Sequence, residues 1–377
     1  MNTWQRCLRL SLPVVLAFGL VACGNSNTPT NSTDATAAAA DAAAAPAPLT
    51  SAPTAITNTI PLAQPPTPGK TFFWLQCELP ICAKIGTGVQ AATQAAGWNL
   101  KTLVFKASDP GGGLTSALQQ NPDVIGITGI PSAAIKPQLK AAADAGVPVV
   151  VCSPGPEEPS AETYGAICSQ TTGPDGENLA KWAIKDSGGN AHMVMVTIPS
   201  FPSLQTTVDG LNNTAAKYCP GCSTGELDLT VDDLAGGQVA SKLVAYLQTH
   251  PDTNYVVFNF GDLEIGVPEA LKAAGFDKKV KLIGNGAGPQ QFQGIIDGGM
   301  DAAWVAYPAV YEGWQLVDAA LRLVDGGTVP DGYQKELASL PSYIVDTPEA
   351  AKALAPSFDY DGPAGYQDQF KKLWLVN

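Results

Sequence analysis

From residue 71 onward, short apolar runs of strand length alternate with longer stretches whose apolar residues recur at helical spacing. A strand is predicted over 72–76, then a helix over 83–96 that stops at Gly97. A strand over 100–105, a turn at 109–113 and a helix over 114–120 follow. Next come a strand over 124–128, a helix over 132–145 halted by Gly146, and a strand over 147–152. The pattern then restarts, with a helix over 175–186, a strand over 191–197 and a helix over 204–217. An edge strand over 227–229, a helix over 236–249 and a strand over 255–260 continue it. A helix over 264–274, a strand over 280–284, a helix over 290–297, a strand over 302–305 and a helix over 313–326 close the series. Fully apolar short strands alternating with helices predict parallel sheets covered on both faces. Two such runs in tandem predict an α/β protein of two doubly wound lobes. In sheets of this kind ligands bind outside the carboxyl ends of the strands.

The N-terminal pattern is different. An apolar run from Leu10 to Ala22 follows Arg6 and Arg9 and leads into Cys23 through Leu20-Val21-Ala22. It falls short of the about 20 apolar residues that a permanent membrane span needs. A charged start, a short apolar middle and small residues before a cut describe a secretory signal peptide over 1–22. Leu-Val-Ala-Cys-Gly resembles the bacterial lipobox, which implies a diacylglyceryl group on Cys23 and an extracytoplasmic domain anchored to the cell membrane. Residues 23–69 are mostly Ala, Thr, Pro, Ser and Asn with almost no charge. Such a segment buries too little apolar surface to offset its ordering entropy, so a disordered linker is expected. Its alanine run over 37–45, isolated from any core, is not expected to hold as a helix. The folded part is expected over 70–377.

Composition then narrows the chemistry. A net charge of −13 argues against nucleic acid, whose binding needs a basic face. Once the signal is removed, Arg322 is the one arginine left. A bidentate guanidinium clamp on a carboxylate or phosphate ligand is therefore not expected. Beyond Cys7 and Cys23, the cysteines fall into three close pairs: Cys77 with Cys82, Cys152 with Cys168, and Cys219 with Cys222. An oxidising compartment and this clustering favour local disulfides. The Cys219-Pro-Gly-Cys222 spacing also suits half a zinc site, but His192 and His250 lack partners at ligand spacing. No metal and no cofactor are expected.

Several segments carry a family resemblance. Asn121-Pro-Asp-Val-Ile-Gly126, Ser132-Ala-Ala-Ile-Lys-Pro-Gln-Leu-Lys140 and Ala145-Gly-Val-Pro-Val-Val-Val151 resemble the first lobe of ribose-type periplasmic binding proteins. Thr172-Gly-Pro-Asp-Gly-Glu177 is similar to the segment after that family's first crossover. Phe260-Gly-Asp-Leu-Glu-Ile-Gly266 and Gly284-Asn-Gly-Ala-Gly-Pro289 resemble its second-lobe binding loops, and Tyr307-Pro308 its second crossover. The resemblance implies a type I periplasmic binding protein clamshell: two doubly wound parallel-sheet lobes joined by a three-strand hinge. It places 70–170 with 307–340 in the first lobe and 171–306 with 341–377 in the second. It further implies a monomer that captures a small molecule and passes it to the permease and ATPase subunits of an ABC transporter. Lactose-repressor-type regulators share the fold but carry a DNA-binding segment where this chain has a lipobox and linker.

Departures from the family bear on the ligand. Cys77-Glu-Leu-Pro-Ile-Cys82 stands where sugar binders place polar and aromatic residues, and Ser153-Pro154 replaces an Asp-Arg pair. An arginine is missing near 199–207, where Gln205 is nearest, and Ala306 replaces a glutamine. The candidate ligand-binding residues are Glu78, Leu79, Gly129, Ser153, Pro154, Phe201, Gln205, Phe260, Asp262, Asn285 and Tyr307. Loss of every charged donor points to a neutral or cationic ligand, a sugar or something less polar than one. Two alternatives stay open: a receptor of the same fold feeding a signalling partner, and an exported glycosidase-like enzyme using carboxylates such as Glu78 and Asp262. No Gly-x-Ser-x-Gly elbow or P-loop is present, and an enzyme is not expected.

Overall fold

The apolar runs line up side by side as two separate sheets. The computed structural model describes residues 44–106, 108–160, 163–168, 173–324 and 340–377. The expected signal peptide, Cys23, the linker up to residue 43, Thr172 and the last two residues of the 313–326 helix lie outside them. In the first lobe the elements are β1 (Thr71–Cys77), α1 (Pro80–Ala95), β2 (Asn99–Phe105), α2 (Pro110–Leu118), β3 (Val124–Thr128), α3 (Lys136–Asp144), β4 (Val149–Cys152) and β5 (Ala166–Ile167). Its strands are all parallel, in the order β2-β1-β3-β4-β5.

The second lobe holds α4 (Gly173–Asp186), β6 (His192–Thr197), α5 (Pro202–Tyr218), β7 (Ser223–Asp228), α6 (Val231–Ala235), α7 (Val239–Thr249), β8 (Tyr255–Phe258), α8 (Val267–Ala273), β9 (Lys281–Gly284), α9 (Pro289–Ile296) and β10 (Asp301–Ala306). The chain then returns to the first lobe as α10 (Ala309–Val324), which packs on α1 and on β3, β4 and β5. Next, β11 (Tyr343–Val345) pairs antiparallel with β10 and closes the order β11-β10-β9-β8-β6-β7. Helix α11 (Pro348–Ala353) packs on α9 of the second lobe. The last helix, α12 (Tyr366–Leu373), packs on α10. The protein is thus a two-lobed α/β fold, each sheet with a hydrophobic core on both faces. Strand β4 (Val-Val-Val-Cys) is wholly buried, as a central strand sandwiched between helix layers must be.

Several boundaries differ from the sequence reading for local reasons. The expected turn at 109–113 is the first turn of α2, because Asp109 caps it by accepting a hydrogen bond from Gly112 N at 2.9 Å. The expected helix over 236–249 starts only at Val239, and a separate short helix, α6, precedes it. A capping box at Thr230 and Asp233 starts α6 early, and Gly237 at φ +64° interrupts the run. Strand β7 is longer than the apolar triplet suggested. As a sheet edge it carries polar, half-exposed residues that leave no apolar signature.

Two larger corrections concern the chain's ends. The region 341–377 does not stay in the second lobe. In the 366–374 segment, Tyr366, Phe370 and Trp374 complete the first-lobe core, stacking around Tyr311 and Trp314 of α10. The expected linker also departs from disorder over its described part, 44–69. Ala45 packs against Ile184 and Cys219 in the second lobe, and Leu49 O accepts from Ile344 N of β11 at 2.8 Å. Further on, Ile56 enters the first-lobe core. Asn58 Nδ2 donates to Asp318 Oδ2 at 2.7 Å, and Ile60 O accepts from Arg322 at 2.6 Å. The segment is a strap lying along both lobes. Buried partners for Ala45, Ile56, Asn58 and the Ile60 carbonyl outweigh a composition that reads as unstructured.

Candidate ligand-binding site

The carboxyl ends of the parallel strands in both lobes converge on one cavity of about 620 Å³. From the first lobe, β1 ends at Cys77 and α1 begins at Pro80, so the turn between them presents Leu79 and Pro80. Strand β3 delivers Thr128 and Gly129, the latter turning the chain at φ +71°. Strand β4 delivers Ser153 at φ +53°. From the second lobe, Phe201 at the start of α5, the Asn259–Asp262 loop after β8 and the Asn285–Gln291 loop after β9 form the facing wall. Tyr307 follows β10, and Glu312 reaches in from α10.

Of the sequence candidates, the structure brings Leu79, Gly129, Ser153, Phe201, Phe260, Asp262, Asn285 and Tyr307 together on this wall. It leaves out three. Glu78 is exposed, because in the short turn after β1 its neighbour Leu79 takes the inward position. Pro154 is buried behind Ser153, whose backbone turns the chain away from the cavity. Gln205 is exposed on α5 and donates to Asp209 Oδ1 at 3.0 Å, one helical turn on. Glu312 was not foreseen. A carboxylate in the first turn of a largely apolar helix after the second crossover was the available signal.

Most polar side chains of the wall are engaged within the protein. Glu312, 1 % exposed, accepts from Tyr307 Oη at 2.6 Å and lies 3.0 Å from Thr128 Oγ1. Burial raises its pKa. Gln291 donates to Gly261 O and Glu264 Oε2 and accepts from Gly288 N. Asn259 donates to Thr197 Oγ1 and Leu204 O. Asn285 supports the buried carboxylate of Asp175, whose pKa burial lifts to about 6 against the hydrogen bonds of Ser342 and Asn285. Lys84 is ion-paired with Asp359. The Asp262 side chain has no hydrogen-bond partner among the described residues; burial raises its pKa, and Lys84 opposes the rise.

Arg322 is far from this chemistry. It is buried on α10, bonded to Asp318 and to the strap. His192 and His250 are also engaged elsewhere, with Ser223 Oγ at 2.8 Å and Tyr246 O at 2.9 Å. No group of three or more His, Cys, Asp or Glu among the described residues is placed to hold a metal ion. The pairs Cys77/Cys82, Cys152/Cys168 and Cys219/Cys222 have Cα separations of 5.5, 4.9 and 5.3 Å, within the span of a disulfide. No described helix is long and apolar enough to cross a membrane.

Behind the Gly261–Gln291 contact lies a buried acidic pair that sets a pH dependence. Burial, with Asp301 nearby, lifts the pKa of Glu264 from 4.5 to about 8; burial also lifts Asp301 from 3.8 to about 7. Both hold protons in the folded state at pH values where the unfolded chain has released them. Their contribution is complete below the unfolded values and is lost as pH rises through about 8. Asp233, held down to about 2 by Lys242 and Thr230, acts only at lower pH. The melting temperature is therefore expected to fall between pH 5 and pH 8. Glu264→Gln, neutral at every pH, is expected to flatten that slope in a calorimetric series.

Comparison with known proteins agrees with this geometry. The periplasmic binding protein domain family matches residues 66–328. A glucose-galactose binding protein from Geobacillus stearothermophilus is similar in structure, at TM-score 0.65 and 19% identity, over 77% of this chain and 100% of that one. A solute-binding protein of an ABC transporter from Agrobacterium vitis, with bound allitol, aligns at TM-score 0.64 and 21% identity, over 76% and 98%. A periplasmic ribose ABC transporter protein from Conexibacter woesei aligns at 0.63 and 17%, over 78% and 97%. No curated protein matches the chain.

Proposed function

The chain belongs to the periplasmic binding protein domain family, and we propose that it is an extracytoplasmic solute-binding lipoprotein that captures a small ligand between its lobes. The observation that carries this reading is the cavity of about 620 Å³ built from strand ends of both lobes. That volume suits a small molecule, and closure of two lobes would bury it from all sides. Leu79, Gly129, Ser153, Phe201, Phe260, Asp262, Asn285 and Tyr307 are its proposed contacts. With Arg322 bound to Asp318 and Lys84 to Asp359, the ligand is neutral or cationic, a sugar or a less polar solute. Delivery to an ABC permease, anchoring through a lipid on Cys23, a monomeric state and bridges at the three cysteine pairs complete the proposal. Similar structures with bound allitol or named for ribose support a carrier role for the fold.

A ligand that binds only the native state raises the melting temperature. In a thermal-shift screen, the protein is expected to respond to at least one neutral or monocationic compound with a rise of several degrees. A response confined to dicarboxylates or phosphorylated sugars would refute the assignment.

A further inference from the structure

The cavity wall itself carries a statement about what fits. Leu79, Ile81 and Ile130 of the first lobe face Phe201, Phe260 and Ile265 of the second across the same space. Ile265 is 62% exposed. It extends the apolar wall to the mouth of the cleft, where a bound ligand would cover it.

The polar residues of the wall do not offset this. Glu312 is satisfied by Tyr307 and Thr128, Gln291 by Gly261, Glu264 and Gly288, and Gln290 by Glu264. Asn259 and Asn285 turn their amide nitrogens inward, to Thr197, Leu204 and Asp175, which leaves their two amide oxygens as buried acceptors without a partner among the described residues. A free monosaccharide brings a ring of hydroxyls, each a donor and an acceptor, into a closed cleft. Hydroxyls left without partners there lose their hydration for nothing. A wall whose polar groups are mostly paired compensates few of them. The exceptions are the two asparagine oxygens and Asp262, a half-buried carboxylate at the cleft whose side chain has no hydrogen-bond partner among the described residues.

On the reading of this cleft as the ligand site, we propose that its ligand is a predominantly apolar ring compound, larger than a monosaccharide, that presents one donor group to Asp262. The about 620 Å³ cavity lies within the ~300–1,000 Å³ range of sites for drug-sized molecules. The two apolar walls take the faces of the ring system. The donor is a hydroxyl or an amine, and an amine gains from the negative charge of Asp262 and the aromatic ring of Phe260.

The test uses Nile red as a neutral apolar fluorescent reporter, with borneol, 2-naphthylmethylamine, D-glucose and D-ribose as competitors. Nile red is expected to bind at micromolar concentration, and borneol and the amine to displace it. Ile265→Asp, at an exposed position that the fold does not depend on, is expected to weaken the reporter and both apolar competitors at least tenfold. Asp262→Asn is expected to weaken the amine at least tenfold and borneol much less. Reporter binding untouched by Ile265→Asp would overturn the proposal, because the probe would then sit elsewhere. Direct calorimetry showing D-glucose or D-ribose bound a hundredfold more tightly than either apolar competitor would overturn it and leave the solute-binding reading standing. Failure of every sugar and every apolar probe to bind would overturn both.

Discussion

Replacing Asp318 with alanine is expected to destabilise the protein by about 3–5 kcal/mol, the range seen when one member of a buried ion pair is removed. Asp318 is fully buried and gathers donors from separate parts of the chain. Arg322 donates to both of its oxygens at 3.1 Å, while Asn58 of the strap and Trp374 near the C-terminus each donate at 2.7 Å. Alanine would leave the Arg322 guanidinium buried without its carboxylate while it still donates to the strap carbonyl of Ile60. It would also release two amide or indole N–H groups without acceptors. The strap and the C-terminal helix should therefore loosen together. Urea titration gives the magnitude, and hydrogen exchange at Ile56 and Leu62 would report whether the strap detaches first. A loss below about 1 kcal/mol would mean that the strap is held by other contacts.

Gly88→Val is expected to cost about 3 kcal/mol, at the upper end of what overpacking imposes. A Cβ at Gly88 of α1 would stand 2.0 Å from the carbonyl oxygen of Val310 on α10. From the other side, a Cβ at Gly313 would stand 2.4 Å from Ile85 O. The two helices touch backbone to backbone, so no rotamer change relieves the clash and the helices must separate. Helix α1 supplies Ile81 and Lys84 to the cavity and α10 supplies Glu312, so separation also displaces the site. The second lobe repeats the device: a Cβ at Gly176 of α4 would stand 2.0 Å from Thr207 O of α5, and one at Gly210 would stand 2.3 Å from Gly173 O. Gly221→Ala, where the nearest atom is 3.9 Å away, is the control and should stay within about 0.5 kcal/mol in the same urea titration.

The alternation of apolar strands with helices made the two-sheet architecture legible, because buried parallel strands such as β4 admit little besides Val, Ile and Leu. Loops at strand ends were legible too, since topology places them around the cleft whatever their residues. Side-chain direction was less so. Glu78 and Leu79 are adjacent, and which of them turns inward depends on where α1 starts and on the nearness of Cys77 to Cys82. Gln205 was misplaced because α5 begins at Pro202, which sets its side chain on the helix face shared with Asp209. The strap was invisible in composition. Asn58 and Ile60 become structural only through Asp318 and Arg322, some 260 residues away, and no local pattern encodes such a partner. The C-terminal helix was missed for a similar reason, since Tyr366, Phe370 and Trp374 find their partners on α10 rather than beside them in sequence.

That the two lobes close on a small molecule is tested most directly by solution scattering, with and without the compound that most raises the melting temperature. The radius of gyration is predicted to fall on saturation, as the walls carrying Leu79 and Phe260 approach each other over the ligand. An unchanged radius with one equivalent of ligand bound would contradict capture by lobe closure.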